Sequence, residues 1–304
     1  MKDLKIELVS DFKNPEVKVV IYPNLGGLCA SIKLQGRELL AWSSPLDPNN
    51  YYKISGGLPL LFPICGRLSR QGQLGQYLYN GQIWSMGIHG FLHALSAEII
   101  HQDFNQVRLR ITHNDWTLGQ YPFEFEIILD FQLTPPSFND NSLYFLTIRQ
   151  TYKNLSEKIM PISAGFHPYF SLPLGAPREK IFLEFNAIQS FKYNTALTEV
   201  IGGQKCLDMP VCIADFLKYN ERLSLLDSRP GQKRVKLNFP DNFSLVQEAG
   251  EGFDYLQIYT DDAKNFICLE PWMSHPNSFN TLLSTRLIAP KEVWENKYQL
   301  GAKG

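Results

Sequence analysis

The stretch Phe123-Glu-Phe-Glu-Ile-Ile-Leu-Asp-Phe-Gln-Leu133 alternates with a period of two. Its odd positions read Phe, Phe, Ile, Leu, Phe and Leu, and Glu124, Glu126, Asp130 and Gln132 fall between them. Successive side chains of a strand point to opposite faces, so this pattern predicts a strand with one face on a core and the other mostly wet. A helix would need apolar residues every third or fourth position instead.

The same reading extends outward. Val107-Arg-Leu-Arg-Ile-Thr112 alternates in the same way, and shorter segments recur at 17–22, 143–152, 181–185, 235–239 and 256–259. Phe266–Leu269 is more uniformly apolar. Turn-forming clusters separate these segments: Pro135-Pro136, Asn139-Asp140-Asn141, Gly175-Ala176-Pro177 and Pro230-Gly231. No convincing amphipathic helix exceeds about three turns, and only Asp215–Arg222 suggests a short helical turn. Many strands at short intervals predict an all-β protein: a large antiparallel β-sandwich with little helix. No linker and no internal repeat appears, so residues 1–304 are read as a single domain.

Composition removes several classes of function. The 304 residues carry 29 Lys+Arg against 30 Asp+Glu, a net charge of −1. There is no basic excess to neutralise phosphates and no polybasic cluster, so neither a nucleic-acid nor a membrane partner is expected. Residues 1–16 are too charged for a signal peptide, and no apolar run is long enough to span a bilayer. The five cysteines are odd in number, widely spaced and without a CxxC, which fits free thiols in a reducing cytoplasm. Aromatic residues make up 13%, which suits strands and also offers flat apolar faces to sugar rings.

Four of the six histidines attract a bland reading. His101 and His113 flank an alternating strand and His275 lies in a polar loop, so each is read as exposed or structural. His93 pairs with His89 at HExxH-like spacing, but the glutamate is missing, Gly90 disfavours a helix and no third ligand is suggested. No metal site is predicted. His89 itself lies in Gly87-Ile-His-Gly90, where the glycines permit close approach to a ligand. His167 precedes Pro168, which holds it extended, and has aromatic neighbours on both sides. It reads equally as a core histidine or a catalytic one. Glu270 ends the apolar run Phe266-Ile-Cys-Leu269, where a carboxylate is costly unless partnered or functional. It reads either as a general base with a raised pKa or as the partner of Arg67 or Arg286. Arg67 closes the segment Gly56-Gly-Leu-Pro-Leu-Leu-Phe-Pro-Ile-Cys-Gly66, which lacks the order of a phosphate-binding loop.

GGLPLLFPICGRL (56–68), HGF (89–91), HPYF (167–170) and CLEPW (268–272) together resemble the aldose 1-epimerase, or galactose mutarotase-like, family over about residues 20–295. The resemblance implies a large β-sandwich that binds a sugar in a groove on one sheet. It also implies roles: Glu270 as catalytic base, His167 as general acid, His89 as the second histidine near the ring oxygen, and Arg67 as a sugar-binding arginine. The family's sugar-binding aspartate is matched best by Asp215, with Asp208 in reserve.

The implied reaction is opening and closing of an aldohexose ring by paired proton transfers, with no metal or redox cofactor. Each positioned acid or base contributes about 10²–10⁴-fold. Relatives acting on hexose 6-phosphates often carry an arginine after HGF, where His93 stands here, so an unphosphorylated aldose is favoured. Three alternatives remain: a non-catalytic sugar-binding protein on the same fold, a hexose-6-phosphate mutarotase, and a glycosidase-like hydrolase. The last needs two carboxylates across the bond, and only one is convincing. The partner is thus a small sugar, and the chain is expected to act as a monomer or homodimer.

Overall fold

The computed structural model describes residues 4–11, 13, 16–44, 55–135, 144–175, 177–214, 220–229, 232–261 and 264–303. Its strands pair antiparallel into two large sheets and one smaller one, with three additional two-stranded pairs. The larger sheet has nine strands, in the order Glu98–Gln102, Gln106–Thr112, Phe125–Leu133, Tyr144–Asn154, Val293–Lys303, Ser244–Ala249, Val235–Asn238, Phe182–Glu184 and Val211–Cys212. The second has eight. Its path runs Val200–Gln204, Ala187–Tyr193, Arg222–Leu226, Tyr255–Thr260, Phe266–Trp272, Gly165–Phe166 and Leu60–Leu61, and Tyr169–Ser171 joins it on Phe266–Trp272. Four strands from Ile6 to Glu38 form the smaller sheet. The protein is all-β, with its large antiparallel sheets packed face to face as a sandwich. Only two α-helices occur among the described residues, Asp115–Leu118 and Ser278–Thr281, each of four residues.

The alternation in the sequence is realised directly. Phe125, Ile127, Leu129 and Phe131 are buried together with Val107, Leu109 and Ile111 of the neighbouring strand. Across the sandwich they share one core with Leu256, Ile258, Ile267 and Leu269 of the second sheet. Phe266–Trp272 departs from strict alternation because both of its faces are covered. Ile267 and Leu269 face the central core, whereas Phe266, Cys268 and Trp272 pack into separate clusters on the opposite face. That second covering is why its sequence reads as continuously apolar.

The expected helical turn over Asp215–Arg222 is not what the described part of it forms. Residues 215–219 lie outside the described residues. Glu221 has a φ of +57°, and Arg222 already opens a strand.

Candidate active site

Four successive strands of the eight-stranded sheet present polar side chains to one cavity of about 510 Å³. Small-molecule sites commonly span about 300–1,000 Å³. Tyr193 ends one strand, Glu221 precedes the next, Gln257 sits mid-strand on the third, and Glu270 lies on the fourth. Gln257 and Glu270 are direct cross-strand partners. Arg67, His89, His93, His167, Tyr169 and Trp272 also line the hollow.

Glu270 is 1% exposed. Trp272 Nε1 donates to its Oε2 at 3.0 Å, and His167 Nε2 stands 3.3 Å from its Oε1. Burial pushes its carboxyl well above the usual range, the negative charge of Glu221 adds to that, and the Trp272 hydrogen bond partly opposes it. Neither arginine named as a possible partner takes that role. Arg67 donates to the Ala196 carbonyl at 3.0 Å, and Arg286 lies 3.8 Å from Glu292 and over the Trp294 ring.

His167 is held from several sides. Its backbone N–H donates to the Pro59 carbonyl at 3.0 Å, and its ring stacks on Tyr169 at 4.6 Å between centroids. Burial pushes its imidazolium down to about 3, and Nδ1 has no hydrogen-bond partner among the described residues.

His89 has a left-handed backbone, φ +62°, and exchanges two hydrogen bonds with Gly66. Its N–H donates to the Gly66 carbonyl at 2.9 Å, and its Nδ1 accepts from the Gly66 N–H at 3.1 Å. An accepting Nδ1 in a neutral imidazole leaves the proton on Nε2. Burial, then His167, His93 and Arg67, all lower its pKa, so it offers a neutral donor. The glycine that follows is required: a Cβ on Gly90, at φ +75°, would lie 2.1 Å from the Phe62 carbonyl oxygen.

Arg67, His89, His167 and Glu270 are thus brought together, although Arg67 and Glu270 lie 203 positions apart in the chain. The two aspartates are not brought to them. Asp215 lies outside the described residues. Asp208 is exposed, pairs with Lys205 at 2.8 Å and does not line the cavity. The second carboxylate in the hollow is Glu221, which sequence reasoning missed because it falls inside the stretch 215–222 read as a short helical turn. Burial raises its pKa, while Arg67 and a 2.7 Å hydrogen bond from Gln257 Nε2 pull it down. Gln257 was missed as well, because it reads as an ordinary residue of the strand Tyr255–Thr260. His275 lies in a loop, as expected, and has a structural place there, with Phe191 and Tyr255 packed edge-on against its ring.

The fold and this cavity define a galactose mutarotase-like β-sandwich protein with a histidine and a carboxylate in contact in a pocket. Residues 10–301 match the family model for aldose 1-epimerase, and the chain belongs to that family. It is 28% identical over 286 residues to Protein LacX, chromosomal, of Lactococcus lactis subsp. lactis, with 86% of each chain covered. Among solved structures it superposes on the Slr1438 protein of Synechocystis sp. PCC 6803 with a TM-score of 0.80 and 26% identity, covering 100% of this chain and 96% of that one. The galactose 1-epimerase of Lactobacillus acidophilus NCFM shares the fold, with a TM-score of 0.67, 14% identity and coverage of 99% and 98%.

Proposed function

We propose that the protein is an aldose 1-epimerase that interconverts the α and β anomers of an unphosphorylated aldohexose. The observation that carries the reading is the 3.3 Å contact between His167 Nε2 and Glu270 Oε1 on the wall of a sugar-sized cavity. Two proton transfers on one acetal centre need an acid and a base that close together.

In this reading the pair holds one proton between its two members. With His167 protonated and Glu270 ionised, Glu270 takes the proton of the anomeric hydroxyl as the C1–O5 bond breaks and His167 protonates O5. The products are the open-chain aldehyde, a neutral imidazole and a neutral carboxyl. Rotation about C1–C2 turns the other carbonyl face to the ring hydroxyl. On closure Glu270 returns its proton to O1 and His167 recovers one from O5, so no net proton is consumed. The buried site favours the uncharged pair, which is the form present while the aldehyde is open. Trp272 fixes the carboxylate, and the Nε2–H of His89 faces the same hollow as a neutral donor.

Arg67, Glu221 and Gln257 supply the fixed polar groups that sugar hydroxyls require, with Glu221 in the role the resemblance gave to an aspartate. Of the described cavity residues Arg67 is the sole Lys or Arg, set against Glu221 and Glu270. Burial lowers the pKa of His93, so it adds no positive charge at neutral pH. The His167–Glu270 pair with its one proton is neutral overall, and Glu221 offsets Arg67, so the wall has no surplus positive charge for a phosphate dianion, which favours a neutral sugar.

Polarimetry of freshly dissolved α-glucose and α-galactose, with anomer exchange by NMR for the 6-phosphates, tests this. Acceleration of a free aldose, with kcat/KM at least about tenfold above that for its 6-phosphate, supports the reading. Sugar binding without acceleration would leave a non-catalytic sugar-binding protein.

A further inference from the structure

We propose that Tyr193 is a positioning residue whose hydroxyl sets the side-chain amide of Gln257, and through it the Glu221 carboxylate, for sugar binding. The inference rests on the sugar-site reading above and concerns a residue outside the acid–base pair.

Tyr193 Oη donates to Gln257 Oε1 at 2.8 Å, and Gln257 Nε2 donates to Glu221 Oε2 at 2.7 Å. A glutamine amide can present either end with little change of shape, so its orientation is set by its partners. A phenol hydroxyl can donate or accept, but a carboxylate only accepts. The reverse orientation would turn Gln257 Oε1 towards Glu221, acceptor against acceptor. One arrangement satisfies all three groups, and it needs the phenol to donate. Burial and the charges of Glu221 and Glu270 hold the Tyr193 proton on well above the usual phenol range, so the donor persists at working pH.

The relay has a structural reason to matter. Gln257 is 1% exposed, and without the Tyr193 hydroxyl its Oε1 loses the donor that the structure gives it. The amide then swings towards another donor and releases Glu221, which sits on a left-handed loop residue. Tyr193 belongs to the hairpin at the edge of the sheet, Ala187–Tyr193 with Val200–Gln204, so an outer strand braces the sugar-facing wall.

A double-mutant cycle tests the proposal: Tyr193→Phe, Gln257→Met and the pair, with KM and kcat by polarimetry and Kd for glucose and galactose by calorimetry. Tyr193→Phe is expected to raise KM and Kd about 3–10-fold, the effect of one hydrogen bond, with kcat within about twofold. In the Gln257→Met background it is expected to add nothing. An equal loss in both backgrounds would mean that Tyr193 acts on the sugar itself, and no loss in either would mean that it acts on nothing; both overturn the relay. Should the wild type bind sugar without turning it over, the epimerase reading falls and the Kd cycle still decides the relay. Should it bind no aldose, the side-chain ¹⁵N–¹H signals of Gln257 decide: they are expected to shift or broaden in Tyr193→Phe, and unchanged signals overturn the proposal.

Discussion

His167 Nε2 lies 3.3 Å from Glu270 Oε1, and both side chains are shut away from bulk water at 9% and 1% exposure. Burial pushes the carboxyl up and the imidazolium down to about 3, so both groups favour their uncharged forms. Groups this close titrate as a pair, with apparent values that belong to the two together.

The pH dependence of catalysis follows. In the proposed mechanism the active pair carries one proton. Gaining a second requires charging a buried imidazole, so the acid limb of kcat/KM falls below the ordinary histidine value of 6.5, towards about 3. Losing the one proton ionises a buried carboxyl, so the alkaline limb lies above the ordinary carboxylate value of 4.5. A pH–rate profile corrected for spontaneous mutarotation checks both limbs. An acid limb near 6.5 would show that His167 titrates as a free imidazole.

Glu221 raises the pKa of Glu270 by its charge. Glu221→Gln removes that charge, so the alkaline limb is expected to move to lower pH. The same variant replaces one acceptor oxygen of the proposed sugar-binding carboxylate with an NH2 that only donates, and KM is expected to rise about tenfold. Steady-state kinetics across pH separate the two effects, and an unmoved limb would contradict the electrostatic one.

Glu270 also weakens the fold that holds it. Its folded-state pKa is raised, so the native state binds more protons than the unfolded one between pH 4.5 and that raised value. Its contribution is whole below the unfolded value and is lost as pH rises through the folded one. Glu270→Gln carries no such penalty and is expected to be more stable at neutral pH by about 1 kcal/mol or more, a gain that shrinks at acid pH. Urea unfolding of both proteins at two pH values measures it.

Gly90 holds His89 in place from the chain side. An alanine there sets a Cβ 2.1 Å from the Phe62 carbonyl oxygen, at a φ of +75°. Gly90→Ala is expected to lose about 2 kcal/mol or more of stability and most of the activity. A variant with wild-type stability would show that the Phe62–Gly90 approach is loose.

The period-two alternation made the strands legible because one face of each was buried and the other wet. Phe125–Leu133, Gln106–Thr112 and Val17–Tyr22 lie where that pattern put them. How the strands divide between the sheets was not legible, since each strand's pattern names a face and not a neighbour. His89, His167, Glu270 and Arg67 stood out as residues costly or constrained in their local sequence. Glu221 did not: a charge beside Asn220 and Arg222 looks solvated until the fold turns it inward. Tyr193 and Gln257 read as ordinary strand residues, because their role depends on which strands lie side by side.

The central claim is that the Glu270–His167 pair moves protons on a sugar's anomeric centre. Polarimetry of fresh α-galactose and α-glucose with wild type and Glu270→Gln tests it most directly. The account predicts acceleration by the wild type and a loss of at least about 10²-fold in a Glu270→Gln protein that remains folded by circular dichroism. Undiminished acceleration by that variant would contradict it.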